Sequence, residues 1–361
     1  MDSTFVHIDF KLNGNSFKGK DKFLAFVKVE VKEVYSFLSN WFDDSDFIAV
    51  NTSGSTGKPK RIKLRKEFMR NSAKATGEFF GIKAGTTALM CLPVEFIAGK
   101  MMLVRAMVLG WNLDVIVPDS FPLKGVNKSY DFSAMVPLQL FNSLNEIKKI
   151  KKLIVGGGVV SNALQSKIKN LSTKIYATYG MTETITHIAI KPLNKSSLRG
   201  GRMWQSLHNY TVLPNIKITT DHRNCLVIHA PKVSNEKIIT NDLVKIISET
   251  QFKWLGRYDH MINSGGIKLI PEQIEEKLSK IIKQRFFVTG LPDDVLGDKL
   301  VLIIEDQEFK FKIQNLKFKI NNLPSLDKFE IPKEIYFVKR FEETETKKIQ
   351  RQKTLDKISI N

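Results

Sequence analysis

The chain predicts an α/β fold: a large N-terminal α/β domain with β-sheets flanked by helices, plus a small mobile α+β C-terminal domain. Three observations predict it. Apolar β-type runs alternate with helix-like segments through the first two-thirds of the sequence. Glycine-bearing turns follow several of those runs. Near residue 257 the pattern restarts as a shorter mixed unit. With 361 residues the chain is long enough for two cores, read here as 1–256 and 257–361.

In order, 46–50, 87–92, 113–118, 153–155 and 174–178 read as strands, the first of them buried. Segments 65–80 and 99–109 read as helices between them, and 225–230 and 245–247 as a β-rich tail. In the second unit Pro271 sits where a helix would start, and Ile274, Leu278, Ile281 and Ile282 share one face of 271–283. Segments 288–290, 300–305 and 335–339 read as strands, and the Lys/Phe/Asn-rich 307–322 as a helix or a loop.

Composition excludes several classes. Hydrophobic content of 42% and charged content of 26% describe an ordinary globular chain rather than a disordered one. The two cysteines, Cys91 and Cys225, lie in apolar runs, so no disulfide framework is expected and the cytoplasm is the natural compartment. The N-terminus lacks the basic start and apolar run of a signal peptide. The most apolar region, 88–111, is broken by Glu95, Lys100 and Arg105, which argues against a membrane span. The net charge of +19 suits a nucleic-acid or membrane surface, or a lysine-rich chain with acidic small substrates. The lysines are scattered and form no aromatic-interleaved stripe, which favours the second explanation. The sequence leaves the oligomeric state open.

The run Thr52-Ser53-Gly54-Ser55-Thr56-Gly57-Lys58-Pro59-Lys60 is built to hold phosphate. Its glycines permit a tight turn and close backbone approach, while its hydroxyls and lysines add donors and charge. The Walker spacing is absent. Four further stretches stand out. Gly156-Gly157-Gly158 follows a strand, as does Tyr179-Gly180-Met181-Thr182-Glu183-Thr184. Gly256-Arg257-Tyr258-Asp259 precedes Asn263-Ser264-Gly265-Gly266-Ile267-Lys268, and Thr344-Glu345-Thr346-Lys347-Lys348-Ile349-Gln350-Arg351 lies near the end.

In this order and spacing these stretches resemble the adenylate-forming superfamily of acyl-CoA synthetases and adenylation domains, from about residue 46 to 351. The resemblance implies ATP, Mg²⁺ and coenzyme A: a carboxylate is activated as an acyl-adenylate with release of pyrophosphate, then passed to a thiol. It implies that Thr52, Ser53, Gly54, Ser55, Thr56, Gly57 and Lys60 wrap the β- and γ-phosphates. Gly156, Gly157, Tyr179 and Gly180 would form the adenine slot, with the Tyr179 ring on the base. Asp242 would take the ribose hydroxyls, supported by Arg257. Thr182 would touch the α-phosphate and Glu183 would hold Mg²⁺. Lys348 would bridge the attacking carboxylate and the α-phosphate. Asp259 would be the hinge that turns the face of Gly265, Gly266 and Lys268 toward the thiol.

Within the superfamily the compact chain is most similar to the short o-succinylbenzoate–CoA ligases of menaquinone synthesis. The second carboxylate of such an acid needs a partner, and Phe96, Lys100, Arg105, Thr184, Thr186 and His187 are the candidates for the acyl pocket. The alternatives are a ligase for another aryl or short-chain acid, an adenylating enzyme with a carrier-protein acceptor, or a basic nucleotide- or nucleic-acid-binding protein. Three features depart from the family pattern. Only about fifty residues precede the phosphate loop, Phe96 stands where a histidine is usual, and Lys347 stands where a glycine usually precedes the tail lysine.

Overall fold

The computed structural model describes residues 6–51, 61–197, 208–306, 313–344 and 348–358. The chain opens with β1 (Lys11–Leu12), α1 (Lys20–Glu30) and α2 (Lys32–Trp41), followed by β2 (Phe47–Asn51), β3 (Arg61–Arg65) and α3 (Lys66–Phe80). A doubly wound stretch comes next: β4 (Thr87–Met90), α4 (Ile97–Leu109), β5 (Asn112–Val115), β6 (Tyr130–Met135), α5 (Pro137–Asn142), β7 (Ile150–Val155), α6 (Asn162–Ile168) and β8 (Lys174–Gly180). The strands β9 (His187–Pro192), β10 (Tyr210–Val212), β11 (Lys217–Thr220), β12 (Cys225–His229), β13 (Ile238–Ser248) and β14 (Gln251–Arg257) complete the first part.

These strands form one twelve-stranded sheet in the order β1-β5-β4-β6-β7-β8-β9-β10-β14-β13-β12-β11. It is parallel from β1 to β8 and antiparallel from β8 onward. The connection through α4 carries the chain from β4 to β5, and the next strand returns to the other side of β4. That reversal opens a crevice at the carboxyl ends of β4 and β6, where sheets of this kind bind ligands. Alternation along the parallel strands feeds two layers. Ala88, Met90, Phe132, Ala134, Ile154 and Tyr176 pack with α1 to α4, while Leu89, Leu153, Val155, Ile175 and Ala177 pack with Leu140, Leu164 and Ile168 of α5 and α6.

Past Arg257 a short 3-10 turn, Tyr258–His260, leads into a second sheet. It is built from β15 (Ile262–Ser264), β16 (Ile267–Leu269), β17 (Phe286–Asp293), β18 (Gly297–Glu305) and β19 (Glu334–Val338), with α7 (Pro271–Leu278), α8 (Ile313–Asn321) and α9 (Arg351–Leu355). Leu300, Leu302 and Ile304 of β18 face α7 and α8, and Val301 and Ile303 face Phe341 and Leu355. The two sheets share no strand. Among the described residues no helix is long and apolar enough to cross a membrane.

Several expectations change. The run 46–50 is not a fully buried strand: Ile48 and Val50 point inward, while Phe47 is 42% exposed. It pairs with β3 in a two-stranded sheet of its own. The glycine-rich loop 52–60 lies outside the described residues, and Asn51 opposite Arg61 brings its two ends together. That loop therefore joins two antiparallel strands rather than a strand and a helix. The helix expected over 65–80 begins at Lys66, because Arg65 is still extended. The short strand expected at 245–247 is the end of the eleven-residue β13. The helix over 271–283 stops at Leu278, yet Ile282 still reaches the core through the following turns.

Candidate active site

The carboxyl end of β8 presents Tyr179 beside Asp242 of β13, and Asp242 pairs across the ladder with Arg257 at the end of β14. The Tyr179 hydroxyl donates to Asp242 Oδ2 at 2.6 Å, and Trp254 Nε1 donates to Oδ1 at 3.1 Å. Arg257 Nη1 stands 3.8 Å from Oδ1. These donors and the guanidinium make a carboxylate tolerable at 6% exposure. Burial, and then the Asp242 charge, drive the Tyr179 phenol far above its ordinary range, so it stays a donor. Its ring lies edge-on to Phe252 at 5.2 Å and tilted to Tyr210 at 5.7 Å. Arg257 is held from the other side by a bidentate pair with Asp259, at 3.0 and 2.9 Å. Hydrogen bonding to Asp259 raises the guanidinium further.

Gly156 and Gly157 sit where β6, β7 and β8 end together. Gly156 N donates to Met135 O at 3.1 Å, and a side chain there would meet Thr178 Oγ1 at 2.6 Å. Gly157 is exposed, with φ of +77°.

Lys348 is half-buried in a tight return of the chain: its N–H donates to Thr344 Oγ1, and Thr344 N donates to Lys348 O. Burial and then the Arg257 charge push its ammonium below the ordinary lysine range. Among the described residues no carboxylate pairs with it. Lys347 lies outside the described residues. Nearby, Arg351 pairs with Glu275 at 2.9 Å and Glu272 at 3.7 Å, and Glu272 takes a 2.6 Å hydrogen bond from His260. This ladder ties the 257–260 turn to α7 and α9. Gly265 and Gly266, both at positive φ, form the tight turn between β15 and β16, and Lys268 is exposed on β16.

The segment from Gly180 to His187 is a closed and strained loop. Gly180 pairs with His187, and a Cβ on Gly180 would lie 2.1 Å from Thr186 O, so only glycine fits. Thr184 Oγ1 accepts from Met181 N at 3.0 Å. Thr186 N donates to Thr184 O at 2.7 Å across Ile185, whose φ and ψ are 67° and −57°. This is the uncommon positive-φ γ-turn, occupied by a β-branched residue, at a cost of about 1–3 kcal/mol. Thr182 and the exposed Glu183 ride on this loop.

The six acyl-pocket candidates do not converge on one cavity. Phe96 sits at the start of α4. Lys100 is buried and donates to Val94 O at 2.6 Å and Glu95 O at 2.8 Å, which staples the turn before its own helix. Arg105 is 1% exposed; its Nε donates to Thr76 Oγ1 at 3.3 Å and its Nη2 to His187 Nδ1 at 3.2 Å. Neither cation occupies an exposed helix face, because α4 is apolar and covered all round. Thr184 and His187 are buried and line a cavity of about 190 Å³ with Ser72, Leu213 and Val233; Thr186 is half-buried and is not on its wall.

The AMP-binding enzyme family profile matches residues 39–212. The solved structure of an acyl-CoA synthetase (AMP-forming)/AMP-acid ligase II-like protein from Dyadobacter fermentans is 37% identical, covering 95% of this chain and 99% of that one, with a TM-score of 0.60. The chain belongs to the AMP-binding, adenylate-forming enzymes. A 2-succinylbenzoate–CoA ligase from Listeria monocytogenes is 24% identical over 357 residues, covering 91% of this chain and 73% of that relative. The o-succinylbenzoate CoA synthetase of Bacillus subtilis, solved with its acyl-adenylate intermediate, shares the fold at 21% identity and a TM-score of 0.73, over 84% of this chain and 68% of that one.

Sequence reasoning about this adenylate-forming enzyme missed Trp254, which shares Asp242, and Thr76, which shares Arg105. Neither carries a local signal: Trp254 is one aromatic residue in a strand, and Thr76 sits mid-helix.

Proposed function

We propose that this chain is an ATP-dependent acid–CoA ligase that forms an acyl-adenylate and then a thioester, with o-succinylbenzoate as its acid in menaquinone biosynthesis. The observation that carries the reading is the Tyr179–Asp242–Arg257 cluster at the strand ends, in a chain whose Lys348 ammonium is half-buried and has no carboxylate partner among the described residues. Ribose-competent acceptors and a cation left without a carboxylate suit a reaction in which two anions must approach. The carboxylate oxygen bonds to the α-phosphorus of ATP as the bond to the leaving pyrophosphate breaks. Lys348 would stabilise charge as it develops there, and Asp242 would hold the ribose. The 52–60 loop would carry the terminal phosphates, and Gly156, Gly157, Tyr179 and Gly180 would border the adenine. Glu183 fits a Mg²⁺ site: it is exposed and makes no ion pair among the described residues. One carboxylate suffices where phosphates and water supply the remaining oxygens. Bound there, Mg²⁺ would neutralise phosphate charge.

The same reading divides the chain into 1–256 and 257–361 with Asp259 as the pivot, supported by the separate sheets and the short turn between them. Swinging the small part would withdraw Lys348 and bring Gly265, Gly266 and Lys268 to the thiol. Substrate identity draws on the relatives named as 2-succinylbenzoate–CoA ligases. A second reading, a ligase for an aryl or short-chain acid with a single carboxylate, is favoured by one fact: Lys100 and Arg105 are already engaged by protein partners. Mass detection of the acyl-AMP and acyl-CoA formed from ATP, CoA and a panel of acids tests both. Turnover restricted to o-succinylbenzoate supports the first reading, turnover of benzoate or short acids supports the second, and no acid-dependent AMP removes both.

A further inference from the structure

The buried Arg105–His187–Thr76 cluster has only one consistent arrangement of protons. Arginine can only donate, so His187 Nδ1 must accept from Arg105 Nη2 at 3.2 Å. A neutral ring then carries its proton on Nε2, which donates to Thr76 Oγ1 at 3.4 Å. The Thr76 hydroxyl sends its own proton to Ser72 O at 3.0 Å and also accepts from Arg105 Nε at 3.3 Å. No bond in this set can be reversed without setting two donors against each other. Among the described residues Arg105 makes no ion pair, so its charge is held by directional hydrogen bonds alone. An uncompensated guanidinium in the core is a costly device for packing.

The cluster anchors the loop that carries Thr182 and Glu183. His187 is the residue opposite Gly180 across β8 and β9, and the Thr186–His187 backbone lies directly against Gly180. All of Met181 to Thr186 hangs between those two points, including the strained turn at Ile185. Such a turn persists only where its surroundings over-determine it. We propose that Arg105, His187 and Thr76 are positioning residues: they hold the two ends of the 181–186 loop in register, so that Thr182 and Glu183 stand correctly for nucleotide and metal. This inference rests on the ligase reading above and adds to it a role for helices α3 and α4.

The test separates adenylation from thioester formation. Acid-dependent ATP–pyrophosphate exchange reads the first step, and CoA transfer from supplied acyl-adenylate reads the second. His187→Leu removes both ring partners and is expected to lower kcat/KM for Mg·ATP in exchange by about 30-fold or more, since small misplacements at a reacting centre are costly. Thioester formation is expected to fall by a clearly smaller factor, because the acyl-adenylate keeps the α-phosphate that Thr182 would touch but lacks the terminal phosphates and their metal. His187→Gln, which can accept from Arg105 and donate to Thr76, is expected to restore exchange to within about threefold. Thr76→Val, close to isosteric, is expected to give an intermediate loss in exchange and a smaller one in thioester formation, and it serves as the test if His187→Leu fails to fold. Equal loss in both half-reactions, or failure of glutamine to rescue, would overturn the positioning role. So would unchanged exchange in Thr76→Val. Absence of exchange in the wild-type chain would overturn the ligase reading instead, and this inference with it.

Discussion

Around Asp242 a carboxylate gathers Tyr179, Trp254 and Arg257 at the partly open ends of strands, whereas around Arg105 a guanidinium gathers, among the described residues, the neutral Thr76 and His187 in the core between α3, α4 and β9. The first cluster balances charge with charge. Arg257 is 32% exposed in its side chain and bridges two carboxylates, so a ligand can approach and exchange for part of the pairing. The second is buried and balances a charge with hydrogen-bond direction. The difference teaches that burial alone does not mark a binding group. Arg105 is the more deeply buried cation, yet its donors face protein, while Lys348 is half-buried and faces no carboxylate among the described residues.

The largest expected effect falls on the open cluster. Lys348→Ala should reduce adenylate formation by about 10²–10³-fold, the scale for loss of one donor aimed at developing charge. Thioester formation from supplied acyl-adenylate should change little. Equal loss of both steps, followed by stopped-flow and mass detection, would break the contrast between the two clusters by making Lys348 structural. A smaller effect is expected for Asp242→Asn. It removes the acceptor charge shared by Tyr179, Trp254 and Arg257 and should raise KM for ATP by about tenfold while lowering stability by about 1–3 kcal/mol. A stability loss with KM unchanged, from urea titrations run beside the kinetics, would move Asp242 out of the nucleotide site.

The smallest effect sharpens the buried cluster. Burial and then Arg105 push His187 well below its ordinary range. The unfolded chain therefore binds a proton near pH 6.5 that the folded chain refuses, and stability present above that pH is lost as pH falls below it. The wild type should lose up to about 1.4 kcal/mol per pH unit below 6.5 relative to His187→Gln. Parallel curves in urea melts between pH 7.5 and 5.5 would show that His187 is protonated in the fold and that the proton arrangement above is wrong.

The α/β alternation was legible because strand and helix periodicities are local: 153–155 and 174–178 carry the apolar pattern their sheet requires, and each lies within the observed strand. The separate hairpin of β2 and β3 was not, because four successive apolar residues, Phe47 to Val50, read alike whether both faces are covered or one. The glycine at 180 was visible as a motif letter, but its physical reason, a backbone 2.1 Å from where a Cβ would stand, appears only once β9 folds back. Lys100 and Arg105 could be singled out as unusual charges in an apolar run, yet what they touch could not be read.

By itself the sequence determined several of the strands and helices, the glycine turns that follow them, and the family pattern those turns spell. Only the tertiary structure decided which of its cations stay available. Arg105 meets a threonine 29 residues away and a histidine 82 residues away, and Asp242 meets a tyrosine at a separation of 63. Secondary structure is set by neighbours in the chain, whereas desolvation and hydrogen-bond partnership are set by neighbours in space. The same side chain is thus a waiting charge or a spent one according to contacts that no local pattern records.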